Sequence, residues 1–546
     1  MSFIGIPRFF LIRFAARALA PYLTRGARNW KRVYLARAPQ DAYYGRTPSP
    51  DNARTRLMPL PRLEHKYLVF IVCITGIFIT VFDTTSSIVA LPTIAHEFGT
   101  DLPTAQWVLV GNNLAIAALL VPVGRLSDLI GRKRIYVVGA LLFAVGAVFA
   151  AWSATIYGLI AARAFVGIGS AMTQGTAMVI LVNSFEAKER AKMLGIQIGA
   201  VGLGQIVGPS LGGVLTGTVG WRALFGITAA AMLAIAVTSQ RTLLRRANRP
   251  KVVQPFDYGG AVAFSSFLVS LLLILTLGPG LGWHQPATIV GAGAACLLFV
   301  LFVAIERRSS APMIDLALFR NAEFALGALA ALVVFMGIAS TRFLVPFFLQ
   351  AVRGIPAEHV GLVFVPAATV TAIAAPFAGR FADRFGIRLF ANIGMAITLL
   401  GFATFCLIGV GTPFWRVVAG LMVMSLGMSL FSAANSASML NAVDEHSHGV
   451  AAGFVSLCRN SGNVIGIAFG TVVVTLTMGA LGYPPTLAAV GPTADPGILR
   501  SFSAGVGYAS MALCAIVLAV LAVLVVWAWR AHSRRAAAER GALTAS

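Results

Sequence analysis

The sequence predicts an all-α integral membrane protein, and three observations carry that expectation. Of its residues 58% are apolar and only 11% are charged, with a mean hydropathy of +0.84, whereas soluble domains carry roughly 25% charged residues. Apolar runs long enough to cross about 30 Å of hydrocarbon recur along nearly the whole chain. Basic residues collect between alternate runs rather than evenly, as the positive-inside rule requires of a multi-pass protein.

The runs fall at 67–90, 106–123, 135–153, 155–179, 192–216, 221–239, 259–278, 287–305, 322–350, 358–378, 389–409, 414–438, 449–477 and 504–529. Short turns near 150–156 and 216–221 separate neighbours that are each too long to merge into one crossing. With the N-terminus inside, the inner segments hold 35 of the 42 Lys and Arg residues, 13 of them in 1–66. The outer loops hold Arg222, Arg353, Arg416 and Arg500, and Arg163, Arg342 and Arg459 lie within or near the spans. This asymmetry favours an even count, fourteen crossings with both termini inside.

Residues 1–66 form a basic N-terminal segment. Arg8 and Arg13 interrupt its apolar start, which argues against a secretory signal. The mixture of Phe, Leu and Ile with Arg8, Arg13, Arg17 and Arg25 suits an interfacial helix, the alternative being a basic leader without regular structure. The formal charge of +23 points to anionic lipid headgroups rather than nucleic acid, since it is distributed between spans and no zinc-finger spacing or polar reader domain accompanies it. The five cysteines sit inside apolar runs as small hydrophobes.

Two pairs of segments repeat. GRLSDLIGRKR at 124–134 returns as GRFADRFGIR at 379–388, an offset of 255, and Gly195, Gly204 and Gly208 each recur 258 residues later. Two matches in the same order imply a duplicated six-helix unit, spans 1–6 and 9–14, with spans 7 and 8 inserted. The expected organisation is therefore a six-helix bundle at 67–240, inserted spans and connectors at 241–320, a second bundle at 321–530 and a basic tail at 531–546.

These motifs resemble the major facilitator superfamily, particularly its fourteen-span drug:proton antiporter branch. FDTTSSIVALP at 82–92 is similar to the first-helix signature of that branch, and Gly124–Arg134 to the inter-helix signature of the superfamily. Arg163 with Gly167 resembles the fourth-helix signature, GQIVGPSLGG at 204–213 the fifth-helix antiporter signature, and PMIDLALFRN at 312–321 the connector of fourteen-span members. The chain departs from the pattern at Ile88, where the branch has Asn, at Val166, where it has Gln, and at Asn112, where it has Tyr. The resemblance implies a double six-helix bundle with two inserted central spans that flank the transport route.

Asp83 lies well inside the first span, where its ionised form is costly, so it is a candidate for proton coupling, for substrate binding, or for a satisfied polar contact. Arg163 is the complementary charge of the same half. Asn112, Asn113, Gln174, Gln205, Asn435, Arg459 and Asn463 are candidate cavity residues, each also explicable by hydrogen bonding between packed helices. Gly124, Asp128, Gly131 and Arg132, with Gly379, Asp383 and Arg384 in the repeat, are candidates for a gating contact and also anchor headgroups. Gly204, Gly208, Pro209, Gly212 and Gly213 allow close helix packing and a bend, and by resemblance limit leak during exchange.

No nucleotide, dinucleotide or zinc motif is present, so the expected driving force is an ion or substrate gradient, with no cofactor and no enzymatic chemistry, and the resemblance to drug:proton antiporters implies protons as the coupling ion. The expected function is proton-driven export of hydrophobic or toxic small molecules from the bacterial inner membrane, with a periplasmic adaptor left open. Two alternatives stand beside it: a narrow metabolite or siderophore exporter, and a membrane scaffold or sensor derived from a transporter.

Overall fold

The computed structural model describes residues 65–184, 187–243, 257–281, 285–309, 316–443, 448–483 and 495–545. Each of the fourteen apolar runs contains a helix, although the run at 389–409 is helical only as far as Ala403. The helices are α1 (His65–Glu97), α2 (Trp107–Ile130), α3 (Arg132–Ala151), α4 (Ile156–Ser184), α5 (Ala187–Thr218), α6 (Trp221–Thr242) and α7 (Tyr258–Leu281), followed by α8 (Pro286–Arg308), α9 (Ala322–Phe347), α10 (Ala357–Phe385), α11 (Ile387–Ala403), α12 (Phe414–Asn441), α13 (His448–Ala480) and α14 (Pro496–Ala545).

Among the described residues, twelve helices rather than fourteen are long and apolar enough to cross a membrane. The shorter apolar α11 has 17 residues, about 25 Å at 1.5 Å per residue. Much of α5 has side chains outside the described set. The expected segment limits are also corrected outward at several ends. The last helix spans 50 residues and takes in the basic tail through Ala545, and a π-turn at Phe348–Val352 extends α9. The basic N-terminal segment lies outside the described residues apart from Lys66 and His65, which open α1.

Local chemistry sets the joints. Asp101 caps a short turn at Leu102–Ala105 by accepting from the Thr104 N–H at 3.0 Å, and Asn321 caps α9 by accepting from the Glu323 N–H at 2.9 Å. Such caps satisfy backbone donors that have no partner within the helix. Gly131 joins α2 to α3 at φ 110°, and Gly386 joins α10 to α11 at φ 102°. A side chain rarely adopts either conformation.

Helix pairing repeats along the chain. In the first half α1 packs on α5, α2 on α4, and α3 on α4 and α6. In the second half α9 packs on α13, α10 on α12, and α11 on α12 and α14. The cross-half contacts are related in the same way, α5 against α10 and α13 against α2. The helix pair α7 and α8 sits to one side, touching the bundle through α2 and α13. Large apolar side chains such as Phe149, Trp152, Leu407, Trp415 and Trp529 face outward, as a hydrocarbon solvent permits. All five cysteines are free. Cys296 is exposed on α8 rather than buried, because that helix packs mainly on α7.

Candidate functional site

The polar interior begins on α1, where the run TTSS follows Asp83. Thr80, Thr84 and Thr85 donate to carbonyls of the preceding turn, while Ser86 and Ser87 donate to the Asp83 carbonyl at 3.1 and 2.7 Å. These hydroxyls therefore direct their donors to carbonyls of their own helix, Thr85 also reaching the Gly204 carbonyl of α5 at 3.1 Å, and cross an apolar environment at little cost. The Asp83 carboxylate points into the first half, where Arg163 Nη1 of α4 donates to Oδ2 at 2.6 Å and Thr228 Oγ1 of α6 donates to Oδ1 at 3.3 Å.

Both charges are fully buried. Arg163 also donates from Nε to the Val108 carbonyl of α2 at 3.4 Å and lies over the Phe225 ring at 5.1 Å, while its Nη2 has no hydrogen-bond partner among the described residues. Four helices thus meet at one ion pair. Taking two charges from water costs several kcal/mol each, which their attraction repays only at close range.

A central cavity runs between the halves and is lined by α1, α2, α4, α5, α9, α12 and α13. Asn113, Gln174, Gln205, Arg459 and Asn463 line it. Asn112 and Asn435 do not, which corrects their assignment to the cavity. Asn112 is one residue from Asn113, about 100° around the helix, and donates to Thr84 Oγ1 at 3.2 Å; Asn435 donates to the Gly327 carbonyl at 3.0 Å and ties α12 to α9. Asp83 also lies off the cavity wall, although its neighbours Thr80 and Thr84 line it. The cavity adds Arg342 of α9, whose Nη1 donates to Gln205 Oε1 at 3.1 Å across the two halves. Its volume of about 90 Å³ is well below the roughly 300–1,000 Å³ of a drug-sized pocket, so a substrate of that size requires the halves to separate.

The α5 glycines mark two seams. A Cβ added at Gly204, Gly208 or Gly212 would meet Val81, Thr85 or Ser86 of α1 at 2.9, 2.0 and 2.5 Å. At Gly213 it would meet the α10 backbone, Ala357 O at 2.6 Å and Gly361 Cα at 2.7 Å. Pro209 lies inside α5, and its carbonyl is 2.6 Å from a Cβ built on Gly361. The α5–α10 seam closes the bundle at the end where α1 leads into α2. There Thr93 donates to Gln350 Oε1 at 3.2 Å, and Gln350 Nε2 donates to the Val89 carbonyl at 3.0 Å.

At the opposite end lie the repeated glycine loops. Gly124 of α2 packs beside Gly175 of α4 and its carbonyl accepts from Ser127 Oγ at 2.7 Å; Arg132 opens α3, and Arg384 is exposed in the last turn of α10. Asp128, Gly379 and Asp383 lie outside the described residues as far as their side chains and surroundings are concerned. In the second half Glu323 forms an ion pair with Arg388, accepts from Arg388 Nε at 2.8 Å and accepts from Ser438 Oγ at 2.7 Å.

The family model described as Major Facilitator Superfamily matches residues 73–467. The chain belongs to that superfamily. This major facilitator is 31% identical to the multidrug resistance protein Stp of Mycobacterium tuberculosis over 72% of its own length and 73% of the relative's. It is 28% identical to the riboflavin transporter RibZ of Clostridioides difficile, over 74% and 88% of the two chains. Among solved structures it is similar to a bacterial homologue of the human lysosomal transporter Spinster in an inward-facing, unoccupied conformation. That likeness has a TM-score of 0.62 at 17% identity and covers 84% of this chain and 96% of the other. Membership of the family makes the chain a multi-pass membrane transporter rather than an enzyme.

Sequence reasoning left Arg342 as an uninterpreted charge and did not single out Gln350 or Glu323. The available signal was a basic residue deep in an apolar run without an acidic neighbour. What it signified required knowing which face of α9 meets α5.

Proposed function

We propose that this transporter is a proton-coupled multidrug exporter of the fourteen-span branch, working by alternating access with both termini inside. The observation that carries the reading is the sealed Asp83–Arg163 pair, one helix face away from the cavity-lining Thr80 and Thr84. Among the described residues, Asp83 is the one acidic residue in the middle third of a helix, so it is the interior group best suited to hold and release a proton. Protonation weakens its bond to Arg163 and loosens the junction of α1, α2, α4 and α6. Motion of α1 then passes to α5 along the glycine seam. The closed α5–α10 end corresponds to the outer side under the proposed orientation, so the repeated glycine segments belong to the inner gate. The helices α7 and α8 act as inserted spans beside the route, and basic loops hold anionic headgroups.

Reconstitution in liposomes with an imposed pH gradient and a chemically varied substrate panel tests this reading. Uphill movement of several unrelated compounds with the gradient supports it, and movement that ignores the gradient removes the proton coupling. Cysteine labelling tests the topology: reagent reaching an engineered cysteine near residue 310 in intact cells, but not one at Pro286, reverses it. The similarity to RibZ favours one second reading, a narrow exporter of a single metabolite, for which only one member of the panel would move.

A further inference from the structure

The interior charges do not balance. Asp83 is neutralised by Arg163 at 2.6 Å and lies off the cavity wall, whereas the cavity wall itself carries two guanidinium groups, Arg342 and Arg459, and no carboxylate. Among the described residues, every other acidic residue falls near a helix end or outside the helices. Among the described residues Arg342 has only neutral partners, Gln205 Oε1 at 3.1 Å and Met428 Sδ at 3.8 Å, which satisfy hydrogen bonds without cancelling charge. Arg459 has no hydrogen-bond or ion-pair partner among the described residues, and Asn463, one turn along α13, adds an amide to the same wall. Two cations facing one confined cavity between membrane-spanning helices repel each other and are costly unless an anion joins them.

We propose that the central cavity selects amphiphilic organic anions, with a carboxylate or similar oxyanion held between Arg342 and Arg459 and the apolar body against Phe335 and Ile338. The proposal rests on the efflux reading and specifies its substrate class. Guanidinium groups present paired N–H donors that match the two oxygens of a carboxylate, so they bind it with direction as well as charge. The same pair disfavours organic cations by like-charge repulsion. Because Arg342 also reaches α5 through Gln205, an anion drawn to it competes for one of the polar contacts between the two halves, which couples substrate binding to their separation.

Fluorescein and rhodamine 123 test this directly, being xanthene dyes of similar size and opposite charge. Binding of each is measured to the full chain in zwitterionic lipid nanodiscs at pH 8, with empty nanodiscs subtracted. Fluorescein is expected to bind at least tenfold tighter than rhodamine 123. R459Q and R342Q are each expected to weaken fluorescein by about tenfold or more, the loss of one charge-assisted hydrogen bond, without weakening rhodamine 123. R459K is expected to be intermediate, because it keeps the charge and loses the paired donors.

Tighter binding of rhodamine 123 than fluorescein by the parent protein overturns the proposal, and that comparison needs no variant to fold. Parallel loss of both dyes in R342Q and R459Q also overturns it, since a packing role weakens both alike. Transport is read separately in liposomes. Net movement of rhodamine 123 with no fluorescein binding leaves the efflux reading standing and removes anion selection. Selective, arginine-dependent fluorescein binding with no net movement of any panel compound upholds anion selection and removes the efflux reading alone.

Discussion

Arg163 Nη1 lies 2.6 Å from Asp83 Oδ2 with both side chains excluded from solvent, and this contact joins α4 to α1 across 80 residues of sequence. The pair is the most exacting polar contact in the first half, because either charge alone would be stranded among apolar helices. Its energetics and its proposed role in coupling separate in a double-mutant cycle.

Asp83→Asn keeps a similar polar size and cannot exchange a proton. Proton-driven uphill export should be strongly impaired, while substrate binding or counterflow partly survives. Binding, counterflow and pH-driven transport measured in one reconstituted preparation check this. Unchanged uphill transport with an unchanged pH dependence would exclude Asp83 as the coupling acid. For stability, removing one partner of a buried pair costs about 3–5 kcal/mol, so Asp83→Asn and Arg163→Gln should each lower the midpoint of thermal unfolding. The double variant should recover part of the loss, and strictly additive losses would mean that the pair contributes nothing as a pair.

Asp128 and its repeat partner Asp383 belong to segments that recur at an offset of 255 residues, each in the last turn of its helix. Asp128→Asn is expected to slow exchange more than it lowers membrane abundance, because under the proposed gating role it removes charge that closure of the inner side requires. Purified variant protein matching the parent across substrate concentrations and pH gradients would show that the segment only sets topology.

The two seams of α5 should respond differently to added bulk. Gly208→Ala would bring a methyl to 2.0 Å from Thr85 Oγ1 and should reduce expression of folded protein, since α1 and α5 pack within one half. Gly213→Ala would meet the α10 backbone and should destabilise the closed α5–α10 end, raising passive substrate leak while the protein remains folded. Gly202→Ala, with nothing within 4 Å of the added atom, serves as the control and should change neither. Leak assays and size-exclusion profiles separate the outcomes, and identical behaviour of the three variants would sink the distinction.

Gly386 has open space at the Cβ position, so any cost of substitution there is conformational, and Gly131 shares its positive φ. Both turns have φ near 105° and ψ 124°, and alanine in such a conformation costs roughly 1–3 kcal/mol. Gly131→Ala and Gly386→Ala should lower thermal stability by similar amounts. A neutral effect at either site would mean that its turn relaxes into ordinary geometry.

The sequence by itself determined a great deal here. Span-length apolar runs placed fourteen helical segments, because in hydrocarbon the backbone must satisfy its hydrogen bonds locally and composition therefore reports helices directly. The repeated glycine loops marked the duplication, and their second glycines, Gly131 and Gly386, share one backbone conformation that side chains disfavour. Asp83 and Arg163 stood out because a charge in an apolar run is expensive wherever the helix lies.

Tertiary structure alone decided which polar groups meet. Apolar helices carry little amphipathic signal, since lipid and protein interior are alike in polarity, so the face each helix turns inward is set by packing rather than by composition. Thus Asn113 reaches the cavity and Asn112 does not, Asp83 is sealed against Arg163 rather than exposed to substrate, and Arg342 joins Arg459 on the cavity wall from another helix. The net positive character of that wall exists only when α9 and α13 are brought together, because the one mid-helix carboxylate is already neutralised in the opposite half.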